Sequence, residues 1–112
     1  MECIFCKIAN KEIFSEIIAE DEAFVVFKDI KPKAPVHLLF IPKTHLGPVN
    51  TLRLKDTELV GRLILKAKEV AQSSGISEDG YRLIFNIGRD AGMEVEHLHL
   101  HLLAGKPLKL VN

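Results

Sequence analysis

A strict alternation of histidine and leucine, HLHLHLL at residues 97–103, constrains the fold of this chain more than any other segment. Successive side chains of a β-strand point to opposite faces of a sheet, so alternation with period two predicts a strand. His97, His99 and His101 then share one face, while the leucines share the other face and can pack into a core. A helix would turn His99 away from the other two histidines, and we therefore predict a strand.

The remaining segments predict an α+β fold. Apolar runs bounded by turn residues indicate strands at EIIAE, AFVVF, VHLLFIP and YRLIFNIG, with VEHLHLHLL as the fifth. Residues 55–73 carry apolar side chains at helical spacing and are followed by Gly75, a residue typical of helix C-termini. CIFCKIAN indicates a short N-terminal helix. We expect one domain over residues 1–112, with a five-stranded antiparallel sheet and one long helix, because short turns join neighbouring strands.

Charge and hydropathy argue against several classes of partner. Fifteen Lys and Arg residues balance fifteen Asp and Glu residues, which gives no basis for binding a nucleic acid polymer or an anionic membrane. A small anionic ligand stays possible. No apolar run approaches the roughly 20 residues that span a bilayer. The segment MECIFCKIANKE does not resemble a secretory signal, so we expect a cytoplasmic protein whose cysteines are reduced or bound to metal.

Three histidines within five residues indicate chemistry more than packing, because β-propensity favours Thr or Val over His. The structural alternative is a solvated strand face. One chemical interpretation is a zinc site, although His97 and His101 would lie about 13 Å apart on a straight strand, which brings three rings poorly onto one ion. The other chemical interpretation is nucleophilic and acid–base catalysis at a phosphate, which histidine can perform because the unperturbed pKa of its imidazole is about 6.5.

The pair Cys3 and Cys6 in CIFC has the Cys-x-x-Cys spacing that suits a metal site or a redox couple. A tetrahedral metal site needs two more ligands, and His45 in PKTH is one candidate. The structural alternative is a pair of small buried apolar side chains.

Three further polar residues stand in or beside predicted strands. His37 lies in VHLLFIP, Asp29 precedes a proline-rich loop and Asn86 precedes Gly88. Their structural alternatives are a buried core histidine and two turn-forming residues. The sequence contains no P-loop and no glycine-rich dinucleotide motif, so side chains and loop amides would have to hold a phosphate, and no organic cofactor is expected.

Together, these segments resemble the histidine triad family of nucleotide hydrolases and transferases, in particular its adenosine-phosphoramidase branch. The resemblance extends over nearly the whole chain and rests on CIFCKIANKEI, FKDIKPKAPVHLLFIPKTH, NIGRDAG and HLHLHLL. It implies the histidine triad fold and hydrolysis of a purine nucleotide, such as one that releases AMP, through a nucleotidyl-histidine intermediate. It also implies a homodimer in which the helix of residues 55–73 and the YRLIF strand meet their symmetry mates.

The resemblance implies a role for individual residues. His99 corresponds to the nucleophile, His101 and His37 to groups that hydrogen-bond the phosphate and its leaving side, and the backbone carbonyl near His97 to the group that orients His99. The expected substrate contacts are Asn86 and the amides around Gly92 for the phosphate, Asp29 for the ribose, and Ile4, Phe5, Ile30 and Leu39 for the base.

The resemblance further implies a structural zinc ion, because some bacterial members of the family carry such a site. The matching residues are Cys3, Cys6, His45 and His97. Two thiolates and two imidazoles make a closed tetrahedral set, which suits a structural ion. His97 would then serve the metal and leave His99 and His101 free for the phosphate.

Two features depart from the family pattern. Met93 and Glu94 stand in AGMEVEH where the family often has Gly-Gln followed by a hydroxyl residue, and an ionised Glu94 would repel a phosphate. The C-terminal GKPLKLVN also lacks the Trp-bearing tail of the phosphoramidase branch. Two other functions therefore stay open: a zinc-dependent hydrolase whose histidines hold a catalytic ion, and a nucleotide-binding regulatory protein with little turnover.

Overall fold

The computed structural model describes residues 3–109, which form one antiparallel sheet with a helix on each face. The strands are β1 (Ile17–Glu20), β2 (Phe24–Lys28), β3 (Val36–Pro42), β4 (Arg82–Ile84) and β5 (Leu100–Ala104). The α-helices are α1 (Ile4–Ala9) and α2 (Thr57–Ser73), and short 3₁₀ turns occur at Val49–Thr51, Leu54–Asp56 and Arg89–Ala91. The sheet order is β1-β2-β3-β5-β4. The predicted fold class, with its five antiparallel strands and two helices, is confirmed.

The two faces of the sheet bury separate apolar clusters. On one face the leucines of the 97–103 segment pack with α2, and Leu98, Leu100 and Leu102 are at most 2% exposed. On the other face Leu39 and Ile41 pack with α1. This division follows from the pleat, since alternate residues of β3 and β5 face opposite ways. The histidines that alternate with the leucines are thereby excluded from the α2 core.

The fifth strand is shorter than its sequence pattern predicts, because it begins at Leu100 and not near Val95. Leu100 pairs with Phe40 of β3, but Leu98 donates its amide hydrogen to the carbonyl of Leu46, 2.7 Å away, in the loop after β3. The backbone therefore leaves the sheet ladder before His97 and His99. In this segment, which has no regular strand pairing, the side chains still alternate between the two faces: the rings of His97 and His99 contact Phe5 of α1, whereas Leu98 packs in the cluster of α2.

Other element bounds differ from the prediction at their ends. β4 covers only Arg82–Ile84 of the predicted YRLIFNIG strand, which leaves Asn86 outside the sheet. α2 begins at Thr57 because a separate 3₁₀ turn precedes it, and it is followed by Gly75 with a positive φ of 76°, as the sequence suggests. Among residues 3–109, none of the helices combines the length and the hydropathy needed to traverse a bilayer.

Candidate functional site

The fold brings three of the five histidines together on the face of the sheet that carries α1. His37 and His101 come from the neighbouring strands β3 and β5, and their ring nitrogens Nε2 and Nδ1 lie 3.0 Å apart. The ring of His99 is centred 5.0 Å from the ring of His101. All three are buried or half-buried, so the cluster is screened from bulk water.

Hydrogen-bond directions determine where the protons of His37 and His101 reside. The backbone N–H of Lys33 donates to Nδ1 of His37 at 3.1 Å, so this nitrogen holds a lone pair and neutral His37 carries its proton on Nε2. The Nε2–H of His37 donates to Nδ1 of His101, and Oδ2 of Asp29 lies 3.4 Å from Nε2 of His37. Neutral His101 consequently carries its own proton on Nε2, where it is available to a ligand.

His99 has the opposite tautomer. Its Nδ1 lies 2.7 Å from the backbone carbonyl of His97, and a carbonyl can only accept, so Nδ1 carries the proton. The lone pair of neutral His99 is then on Nε2. Of these three clustered histidines, His99 is the one whose Nε2 is a potential nucleophile, while His101 presents an N–H donor beside it.

Burial favours the neutral forms of His37 and His101 in the cluster and of His97 beside it. It lowers the pKa values of His37 and His97, because a charged ring is poorly solvated there. Burial, together with the neighbouring His99 and His37, lowers the pKa of His101 to about 4. His101 is therefore a hydrogen-bond donor near neutral pH and not a source of protons.

The residues predicted to hold the base and the ribose have different degrees of burial. Phe5 and Leu39 are buried, and the Phe5 ring meets the His99 ring edge-on with centroids 5.0 Å apart. Ile4 and Ile30 are 47% and 86% exposed. Asp29 caps its turn by accepting the N–H of Lys31 through Oδ1, while Oδ2 approaches His37. Asp29 thus has a turn-forming role in addition to its position beside the histidines.

Of the two residues predicted to contact phosphate, the structure brings one beside His99. Asn86 and His99 line the same small cavity, whereas Gly92 lies in an exposed turn with a φ of 81°. Sequence reasoning missed several apolar residues of this cavity, because nothing in their local pattern distinguishes them from ordinary loop and strand residues. The missed lining residues are Pro48, Val49 and Phe85, whereas Met93, which also lines the cavity, was noted as a departure from the family pattern.

A second cluster joins α1 to the segment before β5. Nδ1 of His97 lies 3.3 Å from Sγ of Cys3 and 3.5 Å from Sγ of Cys6, and Nδ1 of His45 lies 3.3 Å from Sγ of Cys6. Nε2 of His97 donates to the carbonyl of Pro42 at 2.9 Å, so the lone pair on Nδ1 points at the sulfurs. The four ligand atoms lie within 4.8 Å of one another, and this donor set fits a metal such as zinc.

The group Asp29, His37 and His101 is equally compact, with ligand atoms within 4.8 Å of one another. Its hydrogen bonds, however, disfavour a metal. His37 would bind an ion through Nε2 only if Nδ1 carried the proton, but the N–H of Lys33 already points at Nδ1. The structure thus separates a sulfur-containing cluster suited to a metal from a histidine cluster suited to a phosphate.

Comparison with known proteins finds relatives that match along almost the full chain. A family model described as "Scavenger mRNA decapping enzyme C-term binding" matches residues 2–109. The chain is 46% identical to the purine nucleoside phosphoramidase of Escherichia coli (strain K12) over 107 residues, which cover 96% of this chain and 90% of that protein.

Solved structures with similar sequences have the same fold. A HIT family hydrolase from Legionella pneumophila Philadelphia 1 superposes with a TM-score of 0.94 at 46% identity, covering 96% of each chain. A histidine triad protein from Clostridium difficile superposes with a TM-score of 0.96 at 41% identity, covering 100% of this chain and 97% of that one. The predicted histidine triad fold is therefore confirmed.

The depressed histidine pKa values predict a loss of stability in acid. Between the usual pKa of 6.5 and the folded value of about 4 for His101, the unfolded chain binds more protons than the folded one. The free energy of unfolding should therefore fall as pH falls through this window, and the loss should persist below it. Urea denaturation at several pH values between about 6.5 and about 5 measures the slope of the free energy of unfolding against pH. Most carboxyl groups have pKa values below this interval and contribute little to the slope. The variant His101→Gln should have a shallower slope, and an unchanged slope would contradict the assignment.

Proposed function

The chain belongs to the histidine triad (HIT) family and is a hydrolase of that family, and we propose that it hydrolyses purine nucleoside phosphoramidates at the α-phosphate. The observation that carries this proposal is the 2.7 Å hydrogen bond from Nδ1 of His99 to the carbonyl of His97, which leaves the Nε2 lone pair for attack. The name of the Escherichia coli relative supports the choice of a P–N bond. Membership among the hydrolases of the family also argues against the alternative of a nucleotide-binding regulatory protein with little turnover.

In the first step, Nε2 of His99 attacks the α-phosphorus and the P–N bond of the substrate breaks. The ring retains its Nδ1 proton, so the adduct is a nucleotidyl-imidazolium whose N–H stays bound to the carbonyl of His97. That carbonyl stabilises the positive charge formed on the ring. The leaving amine takes up a proton from solvent, because His101 is neutral and the hydrogen bond from His37 occupies its other nitrogen.

In the second step, water attacks the same phosphorus and the P–Nε2 bond breaks. Water supplies the oxygen of the nucleoside monophosphate and releases a proton, which balances the proton taken up by the amine. His99 returns to its original tautomer. His101 donates a hydrogen bond from Nε2 to the phosphate oxygens throughout, and fixed donors of this kind lower the barrier because they are oriented before charge develops.

The nucleoside half of the substrate is proposed to lie on the side of α1 and β3. Asp29 is at the start of the loop before β3 and has one oxygen near the histidines, which suits a contact with ribose hydroxyls. Phe5 and Leu39 provide the buried part of an apolar surface, and the exposed Ile4 and Ile30 would cover a base from outside. Asn86 and the amides around Gly92 would complete the phosphate contacts.

Replacing the nucleophile tests the proposed chemistry. The variant His99→Ala should lose at least about a thousandfold in kcat/KM on an adenosine phosphoramidate, because no other group can form the covalent intermediate. Its affinity for AMP, measured by calorimetry, should stay within about tenfold of wild type. A second variant, His99→Gly, should regain turnover when imidazole is added in solution, which a purely structural role would not produce. Substantial residual turnover without imidazole would contradict the assignment.

A substrate panel separates the proposed leaving group from others. The panel contains nucleoside phosphoramidates, dinucleoside polyphosphates, nucleotidyl sugars and an mRNA cap dinucleotide. The cap dinucleotide is included because the chain matches a family model named after a scavenger mRNA decapping enzyme. Release of a nucleoside monophosphate is the common readout. The proposal requires the phosphoramidates to have the highest kcat/KM, and a higher value for any other class would replace it.

We further propose that Cys3, Cys6, His45 and His97 bind a structural zinc ion. A sulfur and a nitrogen bound to one tetrahedral zinc are about 3.6 Å apart, close to the 3.3 and 3.5 Å separations in this cluster. Four protein ligands leave no open position for water, so such an ion would stabilise the fold and not perform the hydrolysis. The arrangement therefore argues against the zinc-dependent hydrolase as the function.

Metal analysis of protein purified without chelator tests this site. About one equivalent of zinc per chain is expected, and chelation should lower the thermal midpoint, because the ion binds the folded arrangement preferentially. The variant His45→Gln should lose the zinc, whereas the matched variant His101→Gln should retain it. Less than about half an equivalent, with both thiols freely titratable in the folded protein, would exclude the four-ligand site.

We also propose that the chain forms a homodimer through α2 and the β4 region. β4 is an edge strand, so its outer backbone groups are free to continue the sheet into a second copy. On α2, Ile64 and Leu65 are 42% and 62% exposed, although both are large and apolar.

Light scattering of the protein at micromolar concentration tests this proposal and should give the mass of a dimer. Leu65→Glu should shift it towards monomer, and Phe14→Glu, an exposed position before β1 at the other sheet edge, should not. A wild-type monomer would contradict the proposal.

A further inference from the structure

A larger cavity lies next to the small pocket of the nucleophile. It is open to solvent and has a volume of about 500 Å³. Pro48 and Met93 line both cavities, so the larger cavity adjoins the pocket that His99 lines.

The position of the cavity relative to the sheet indicates which part of a substrate it can receive. The residues proposed for the nucleoside come from α1, β3 and the loop before β3, on one side of β5. The cavity is formed instead by the loop that follows β4, on the other side of β5, together with residues 48–51. A nucleotide whose phosphorus meets His99 therefore has its remaining substituent free to enter the cavity.

The charges on the wall of this cavity are unbalanced. Glu94 and Glu96 both line it, and neither forms an ion pair with any residue in the part of the chain from 3 to 109. Arg89 is the cationic residue of the lining, but its Nε already binds the carboxylate of Asp90 at 3.0 Å. Asn50 and Thr51 add neutral polar groups. The wall is therefore net anionic beside a site that already receives a phosphate.

We propose that this cavity is the leaving-group subsite and that Glu94 and Glu96 favour substrates whose leaving amine bears a second, cationic group. The inference rests on the proposed function and specifies its substrate class. An ammonium in the cavity would be attracted to the two carboxylates, whereas a phosphate or carboxylate there would be repelled. A unit charge about 6 Å from one carboxylate in water changes an equilibrium by about threefold, so the pair should contribute about tenfold.

Three matched substrates measure this preference directly. Each is an adenosine phosphoramidate of an unbranched alkylamine, and the far end of the alkyl chain is a methyl, an ammonium or a carboxylate group. For the wild-type enzyme, kcat/KM should be highest for the ammonium end, about tenfold above the methyl end, and lowest for the carboxylate end. Because the charges are exposed, added salt should reduce these ratios towards one.

Charge-neutralising variants identify the residues responsible. Glu94→Gln and Glu96→Gln should each lower the ammonium-to-methyl ratio by about threefold, and the double variant should nearly abolish it. Glu78→Gln, which makes the same change in the turn after α2 and outside the cavity lining, should leave the ratio at its wild-type value. Equal ratios in the wild type and the double variant would overturn the inference.

The outcome for this subsite is distinguishable from the outcome for the proposed function. Turnover of all three substrates at equal rates contradicts the subsite and leaves the phosphoramidase proposal intact. If none is turned over, the phosphoramidase proposal fails, and the subsite is then judged by binding. Analogues with a methylene group in place of the bridging nitrogen carry the same three ends. Equal dissociation constants for them, measured by calorimetry, would overturn the charge preference.

Discussion

The position of His97 is the constraint on which both functional clusters depend. Its side chain is 1% exposed, its Nε2 donates to the carbonyl of Pro42, and its Nδ1 faces the sulfurs of Cys3 and Cys6. Its backbone carbonyl, in turn, accepts the Nδ1 proton of His99. One residue therefore connects the N-terminal helix, the end of β3 and His99, the proposed nucleophile. Losing the ring would leave buried polar partners without hydrogen bonds, at a cost of about 1–3 kcal/mol each.

Burial lowers the pKa values of His37 and His101 and so favours their neutral forms, which offer lone pairs and N–H groups and not charge. Both nitrogens of His37 have protein partners, whereas His101 has one partner at Nδ1 and keeps Nε2 for a ligand. The hydrogen-bond partner at Nδ1 determines the tautomer of each ring. Nε2 of neutral His99 therefore carries a lone pair, whereas Nε2 of neutral His101 carries a proton. A cluster of freely titrating imidazoles on a wet strand would have no such division of roles.

The sheet separates stability from chemistry through its two faces. Leu98, Leu100 and Leu102 anchor the histidine segment to the core with α2, so the alternate face can carry polar groups without loss of packing. The loop that follows β4 is under less constraint, because most of its side chains are exposed. Glu94 and Glu96, the residues proposed to select the leaving group, lie on this exposed loop and not on the strands that hold the histidine cluster.

Local pattern in the sequence determined the face of each residue around the histidines, because the two-residue period of extended backbone holds even where regular strand pairing ends. It was sufficient for the leucine core and the α+β class, and it indicated Cys3 and Cys6 as candidate metal ligands, whereas the full set with His97 came from the resemblance to the family. Tertiary structure alone decided that β5 begins at Leu100, because the amide of Leu98 bonds to a loop instead of β3. It also decided which atoms meet: His37 with His101, 64 positions apart, and Cys3 with His97, 94 positions apart. Those contacts set the tautomers, and they depend on strand register and on the path of the chain, which no local pattern contains.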